Sequence, residues 1–115
     1  MAEEPQLLLH WEKTLGDLLD RTQKFPKAVR FTFAGRIDGH ALDVLELLTE
    51  ARWARAEHKR ELLARADITL AKLRTLVRIS HDRRYLDHRG LEQVVRNLDE
   101  AGRMLGGWLR QQGPR

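Results

Sequence analysis

Apolar residues recur along most of this chain at steps of three and four, the spacing that gives an α-helix one buried side. In the first segment the stripe is Leu8, Trp11, Leu15, Leu18 and Leu19. It predicts a helix over residues 5–23, with Glu3 and Glu4 favourably near its positive end. Phe25-Pro26 ends it, because proline disfavours helix in the residue before it and is tolerated at the start of the next. A second helix begins between Lys27 and Phe31, runs to about residue 55, and carries Phe33, Ile37, Ala41, Val44, Leu45, Leu48 and Ala51. No glycine or proline occurs between His40 and Arg89, so no breaker marks the next boundary. One helix over that span would be roughly 75 Å long, too long for a compact domain. The apolar phase is interrupted by a charged run at residues 54–58, and the turn is placed there.

The third helix, residues 57–83, has the stripe Leu62, Leu63, Ala66, Leu70, Leu73, Leu76 and Val77. Arg84-Tyr85-Leu86-Asp87 turns the chain, and Asp87 is a suitable N-cap for a fourth helix. That helix buries Leu91, Val94, Val95, Leu98, Ala101, Leu105, Trp108 and Leu109, with Trp108 expected against the first helix. The single alternating run, Val29-Arg30-Phe31-Thr32-Phe33, is short, so strand is nearly absent. The expected fold is all-α: one domain, residues 1–115, folded as an antiparallel up-down-up-down four-helix bundle.

A second apolar face runs along the third helix: Ala64, Ile68, Ala71, Thr75 and Ile79, roughly opposite the core stripe. A monomeric bundle needs one buried stripe per helix, so this face reads as a self-association surface. The competing reading is a scatter of exposed apolar side chains, which is common. Gly35 and Gly39 read as close-packing positions, and Gly102 with Gly106 as a small-residue seam between helices.

Charge changes the picture. Residues 1–50 hold 6 Lys/Arg against 9 Asp/Glu, and residues 51–115 hold 15 against 8, for an overall net charge of +4. Arg89, Arg96, Arg103 and Arg110 stand at strict seven-residue spacing, which returns to nearly the same helix face with a drift of about 20° per step. The row lies off the buried stripe and spans roughly 32 Å at the helical rise. Guanidinium stays charged and grips phosphate in bidentate fashion, so the row suits a polyanion; the alternative is a solvated face. Arg60, Arg74 and Arg78 share one side of the third helix and extend the candidate nucleic-acid surface. Such contacts give affinity without sequence readout. Most of the seven aromatics sit on core stripes or at helix ends, so stacking platforms for unpaired bases are expected to be missing.

Other chemistry finds little support. There is no cysteine, hence no disulfide framework and no thiolate metal site. The acidic start is no signal peptide and no apolar run approaches a membrane span, which points to the cytoplasm and to no membrane partner. Ser80-His81-Asp82 has the residue types of a triad, but neighbours on a helix point about 100° apart. His81 and His88 with Asp82 and Asp87 flank one turn and could meet a metal, although capping and solvation are commoner uses. No glycine-rich phosphate loop is present. No catalytic residue, metal site or cofactor is expected.

The run Glu100-Ala101-Gly102-Arg103-Met104-Leu105-Gly106-Gly107-Trp108-Leu109-Arg110 resembles the C-terminal signature of the accessory variability determinant (Avd) proteins of diversity-generating retroelements. The block Phe25-Pro26-Lys27-Ala28-Val29-Arg30-Phe31-Thr32-Phe33, followed by Leu45-Glu46-Leu47-Leu48-Thr49-Glu50-Ala51, resembles the same family. It also resembles the four-helix proteins encoded by intervening sequences within large-subunit ribosomal RNA genes. The resemblance implies a four-helix protomer in a homo-pentameric ring that is basic and non-catalytic. It further implies partners: the element's reverse transcriptase, the template-repeat RNA, and DNA as a second nucleic acid. The role implied is support of mutagenic retrohoming. Only Arg103, inside the Gly102–Trp108 core of that signature, carries over residue for residue; the other arginines are read from spacing. The alternative is a ribosomal intervening-sequence type of protein that binds structured RNA or self-assembles.

Overall fold

The computed structural model describes residues 3–112, with side chains from residue 6 onward. Glu3 and Glu4, expected to favour the first helix's positive end, have side chains outside the described residues. Four helices form the architecture: α1 (Glu3–Thr22), α2 (Gly35–Trp53), α3 (Ala56–Asp82) and α4 (His88–Gln111). No strand occurs among the described residues. No helix among them is long and apolar enough to cross a membrane. In the main packing pairs, α1 lies against α2 and α4, and α3 lies against the same two helices. The bundle measures 44 × 24 × 21 Å. Its long axis is close to the roughly 40 Å expected for its longest helix at the helical rise.

The core follows the expected stripes with a shift at the first. In α1 it is Leu7 that is fully buried, with Trp11, Leu15 and Leu18, while Leu8 and Leu19 are half-buried. Thr14 and Thr22 complete that face and were missed because they are polar. Each has a hydrogen-bonding partner: Thr22 Oγ1 donates to Asp38 Oδ1 at 2.6 Å, which ties the end of α1 to α2. Trp11 Nε1 donates to the Ala41 carbonyl at 2.9 Å, a second cross-link between the same helices. Leu76, expected in the core, is only half-buried, whereas Leu62, Leu63, Ala66, Leu70, Leu73 and Val77 are buried as the spacing predicts. Trp108 is 0% exposed, as expected, and the Lys59 ammonium of α3 lies 5.9 Å from its ring centroid.

The connections explain where pattern reading lost precision. The segment before α2 is helical but not α: a 3-10 turn over Lys27–Val29 passes into a π turn over Arg30–Ala34. Between α2 and α3 only Ala54 and Arg55 are extended, and Ala56 then takes a left-handed φ of 43°. Arg84 has φ 69° after α3. Its N–H donates to the His81 carbonyl at 2.9 Å, and Tyr85 N–H donates to the Ser80 carbonyl at 2.8 Å. That pair of bonds is a Schellman closure, which satisfies the orphan carbonyls of the last turn.

Candidate nucleic-acid interface

The α4 face is fixed at its start by two neighbouring features. Asp87 accepts from Gly90 N–H at 2.7 Å, which caps the helix as expected. Gly90 sits in a tight place: a Cβ there would stand 2.8 Å from Arg21 Nη1 and from Leu86 Cδ1, and 3.0 Å from Asp87 Oδ1, so those side-chain ends would have to shift. From that anchor Val94, Leu98, Ala101, Leu105 and Trp108 turn inward. Arg89, Arg96, Arg103 and Arg110 are all exposed on the outer side, as the spacing predicts.

The row is not uniformly positive. Glu92 and Asp99 fall on the same exposed side, and Glu100 lies beside it. Arg103 donates to Glu100 through Nε at 3.1 Å and Nη2 at 2.6 Å. That bidentate bond holds the Glu100 carboxyl below the usual carboxylate range. Arg96 Nη1 donates to the neutral Gln93 Oε1 at 3.4 Å. Among the described residues no carboxylate pairs with Arg89, Arg96 or Arg110. An open groove of about 880 Å³ lies along this face, lined by Leu91, Val95, Arg96 and Arg103 and reaching His10 of α1. His10 Nε2–H donates to the Asn97 carbonyl at 2.9 Å, linking α1 to α4 beneath it.

The α3 arginines divide into different roles. Arg74 Nε donates to Asp99 Oδ1 at 3.1 Å, and its Nη2 reaches toward the Leu98 carbonyl at 3.5 Å. A Cβ on Gly102 would come within 2.8 Å of that Nη2. Gly102 therefore makes room for a guanidinium brace between α3 and α4. The expected seam of closely approaching helices is not what Gly102 and Gly106 form, since Gly106 faces only Arg110 of its own helix. Gly39 has open space around it, so close packing does not explain it either. Arg78 is exposed. Arg60 is half-buried, and its Nη2 is buried without a hydrogen-bond partner.

Of the second apolar face on α3, Ala64, Ile68, Ala71 and Thr75 are exposed and Ile79 is half-buried. Ile68 is 58% exposed. With Ala71, Thr75 and Leu76 it lines a groove of about 420 Å³ shared with Arg36 and His40 of α2. The hydroxyl of Ser80 is buried and donates to the Leu76 carbonyl at 2.8 Å, which removes it as a nucleophile. The His81 and His88 rings do meet, with centroids 5.8 Å apart. Asp87 is occupied by its cap, and no group of three metal-ligating side chains occurs among the described residues.

Two aromatic rings lie open to solvent, one of them at a helix end as expected. Trp53 is 78% exposed and Phe31 is 88% exposed. A usable signal for Trp53 was its phase: it falls between the buried positions that continue from Leu48 and Ala51.

In comparison with known proteins, the family model described as bAvd-like matches residues 8–112. No curated protein matches the sequence.

Proposed function

The chain belongs to the bAvd-like family, and on that premise we propose that it is a non-catalytic accessory protein of a diversity-generating retroelement. It acts as a basic scaffold in the cytoplasm that joins the element's reverse transcriptase to template-repeat RNA and supports mutagenic retrohoming. The observation that carries this reading is the family match, which spans nearly all of the described residues. Two surface features support it. The outer side of α4 presents Arg89, Arg96 and Arg110, which pair with no carboxylate among the described residues and are suited to phosphate. The exposed apolar groove between α2 and α3 suits assembly of copies of this chain.

In this reading the single domain is an up-down-up-down bundle, favoured by short connections and by α1 and α3 each packing between α2 and α4. The protomers close into a homo-pentameric ring, so that each weak phosphate contact is repeated once per subunit and gains by avidity. The test is co-expression with the reverse transcriptase encoded beside the gene and with its template-repeat RNA. Co-purification of all three, and loss of adenine-directed mutagenesis when this chain is deleted, is the expected result. A reverse transcriptase that purifies without this chain and diversifies its target equally well in its absence would refute the proposal.

A further inference from the structure

Trp11 and Trp108 are 0% exposed, but Trp53 at the end of α2 is 78% exposed. The bundle gains almost no burial from it, so a large apolar surface is left in water for some other reason. Its setting is ordered. Ala54 N–H donates to the carbonyls of Glu50 and Ala51 at 3.1 and 3.3 Å, which closes the helix end immediately after the indole. The Arg52 guanidinium lies 5.7 Å from the ring centroid, a cation–π distance. With one face approached by that cation, the high exposure leaves the rest of the ring open.

The electrostatics of this corner favour an anion. Of its acidic neighbours, Glu50 and Glu61 both lie against His58, at 3.3 and 3.7 Å, and Glu57, in the first turn of α3, has a partner of its own. Among the described residues no carboxylate pairs with Arg52 or Arg55, although both are exposed. A rigid indole face beside two unpaired guanidinium groups combines the two elements of single-strand recognition. These are a π surface for a base unstacked from its neighbours and cations for the phosphates on either side. An acidic protein segment would use the arginines and leave the indole in water. A regular duplex would meet the arginines but offer no free base face.

We propose that Trp53, with Arg52 and Arg55, is a stacking site for an unpaired nucleobase of single-stranded nucleic acid. The proposal rests on the nucleic-acid part of the scaffold function and adds to it a place where the strand is unpaired. Because the other two tryptophans are buried, the emission that acrylamide quenches in the free protein belongs to Trp53.

The test titrates the full chain with short oligouridylate, oligodeoxythymidylate and a duplex RNA, following tryptophan emission and affinity. Both single strands should quench the accessible emission and shield it from acrylamide, and the duplex should do so weakly; the ratio of the two single-strand affinities tells RNA from DNA. Trp53→Leu should weaken single-strand binding by about 5- to 150-fold, the range for losing one aromatic stack. Trp53→Phe should retain binding within a few-fold, and both variants should melt with the wild type. Binding by Trp53→Leu equal to wild type, or binding without quenching, overturns the stacking site and leaves the scaffold function standing. An indole already shielded from acrylamide in the free protein also overturns it, because another copy of the chain then covers that face. If the wild type binds none of the three nucleic acids, the nucleic-acid part of the scaffold function falls as well.

Discussion

The clearest quantitative consequence concerns the unequal arginines of α4. Arg103 is held by Glu100 through two bonds, whereas Arg89, Arg96 and Arg110 have no carboxylate partner among the described residues. Arg89 and Arg110 lie 21 residues apart, roughly 32 Å at the helical rise. Phosphates along a strand are about 3.4 Å apart, so the three arginines can each meet a different one. Replacing Arg89, Arg96 and Arg110 together by glutamine should leave the fold intact, since all three are exposed. Each lost phosphate contact reduces the slope of log affinity against log salt by about 0.7–0.9. Three contacts make a reduction of about 2.1–2.7, and over a four-fold rise in salt the wild type should lose about 20- to 40-fold more affinity than the variant.

Fluorescence polarisation of a labelled structured RNA, measured across a salt series, reads both slope and affinity. Arg103→Gln alone should shift the slope less than any of the other three single replacements, because its charge is already shared with Glu100. Equal slopes for the triple variant and the wild type would mean that this face is only solvated. A full unit lost on Arg103→Gln would mean that the Glu100 pair gives way to phosphate, and the grading of the arginines by their partners would be wrong.

The remaining predictions test assembly, packing and linkage. Ile68→Asp should give smaller particles by light scattering with helical content retained, since a buried isoleucine is worth about 1.5–3 kcal/mol to each interface; an unchanged mass argues against the α2–α3 groove as the assembly surface. Trp108→Ala should cost roughly 3–5 kcal/mol in denaturant unfolding, because the side chain is fully buried. Ala56→Gly should raise stability by about 1 kcal/mol by relieving the left-handed backbone, and a loss in the melting temperature would contradict that account. The Glu100 carboxyl is lowered by its bond to Arg103, so its contribution is present above the ordinary carboxylate value and fades as pH falls through the lowered one. Thermal melts in acid should show that fading in the wild type and not in Glu100→Gln.

Helix number, order and most of the core were legible because burial of one stripe dominates each helix, and a 3.6-residue period survives local irregularity. The boundaries were harder because this chain turns without glycine. Ala56 and Arg84 both adopt left-handed backbone, a conformation that pattern rules assign to glycine. At Arg84 the two Schellman bonds offset part of that cost; at Ala56 the left-handed residue follows a connection of only two extended residues. The slip from Leu7 to Leu8 has a similar cause. Thr14 and Thr22 are buried through hydrogen bonds within and between helices, and a reading that counts only apolar residues places the stripe one position off.

The candidate site was half legible for a reason that bears on how the molecule works. A seven-residue arginine repeat can be read directly, but Glu92 and Asp99 sit three residues after Arg89 and Arg96 and share their face. Reading one sign of charge overstated the ladder, and the packing against α3 decides which charges remain. Asp99 is taken by Arg74, whose guanidinium fits over Gly102, so one arginine of α3 neutralises an acid of α4 and clears the face for its neighbours. The same helix faces α2 with Ile68, Ala71 and Leu76. Its two flanks thus differ: toward α2 an apolar floor rimmed by Arg36, His40 and Lys72, toward α4 a guanidinium brace. A second copy seated on the α2 flank would leave the α4 arginines open to solvent. Assembly and polyanion binding would then reinforce one another through avidity instead of competing for one surface.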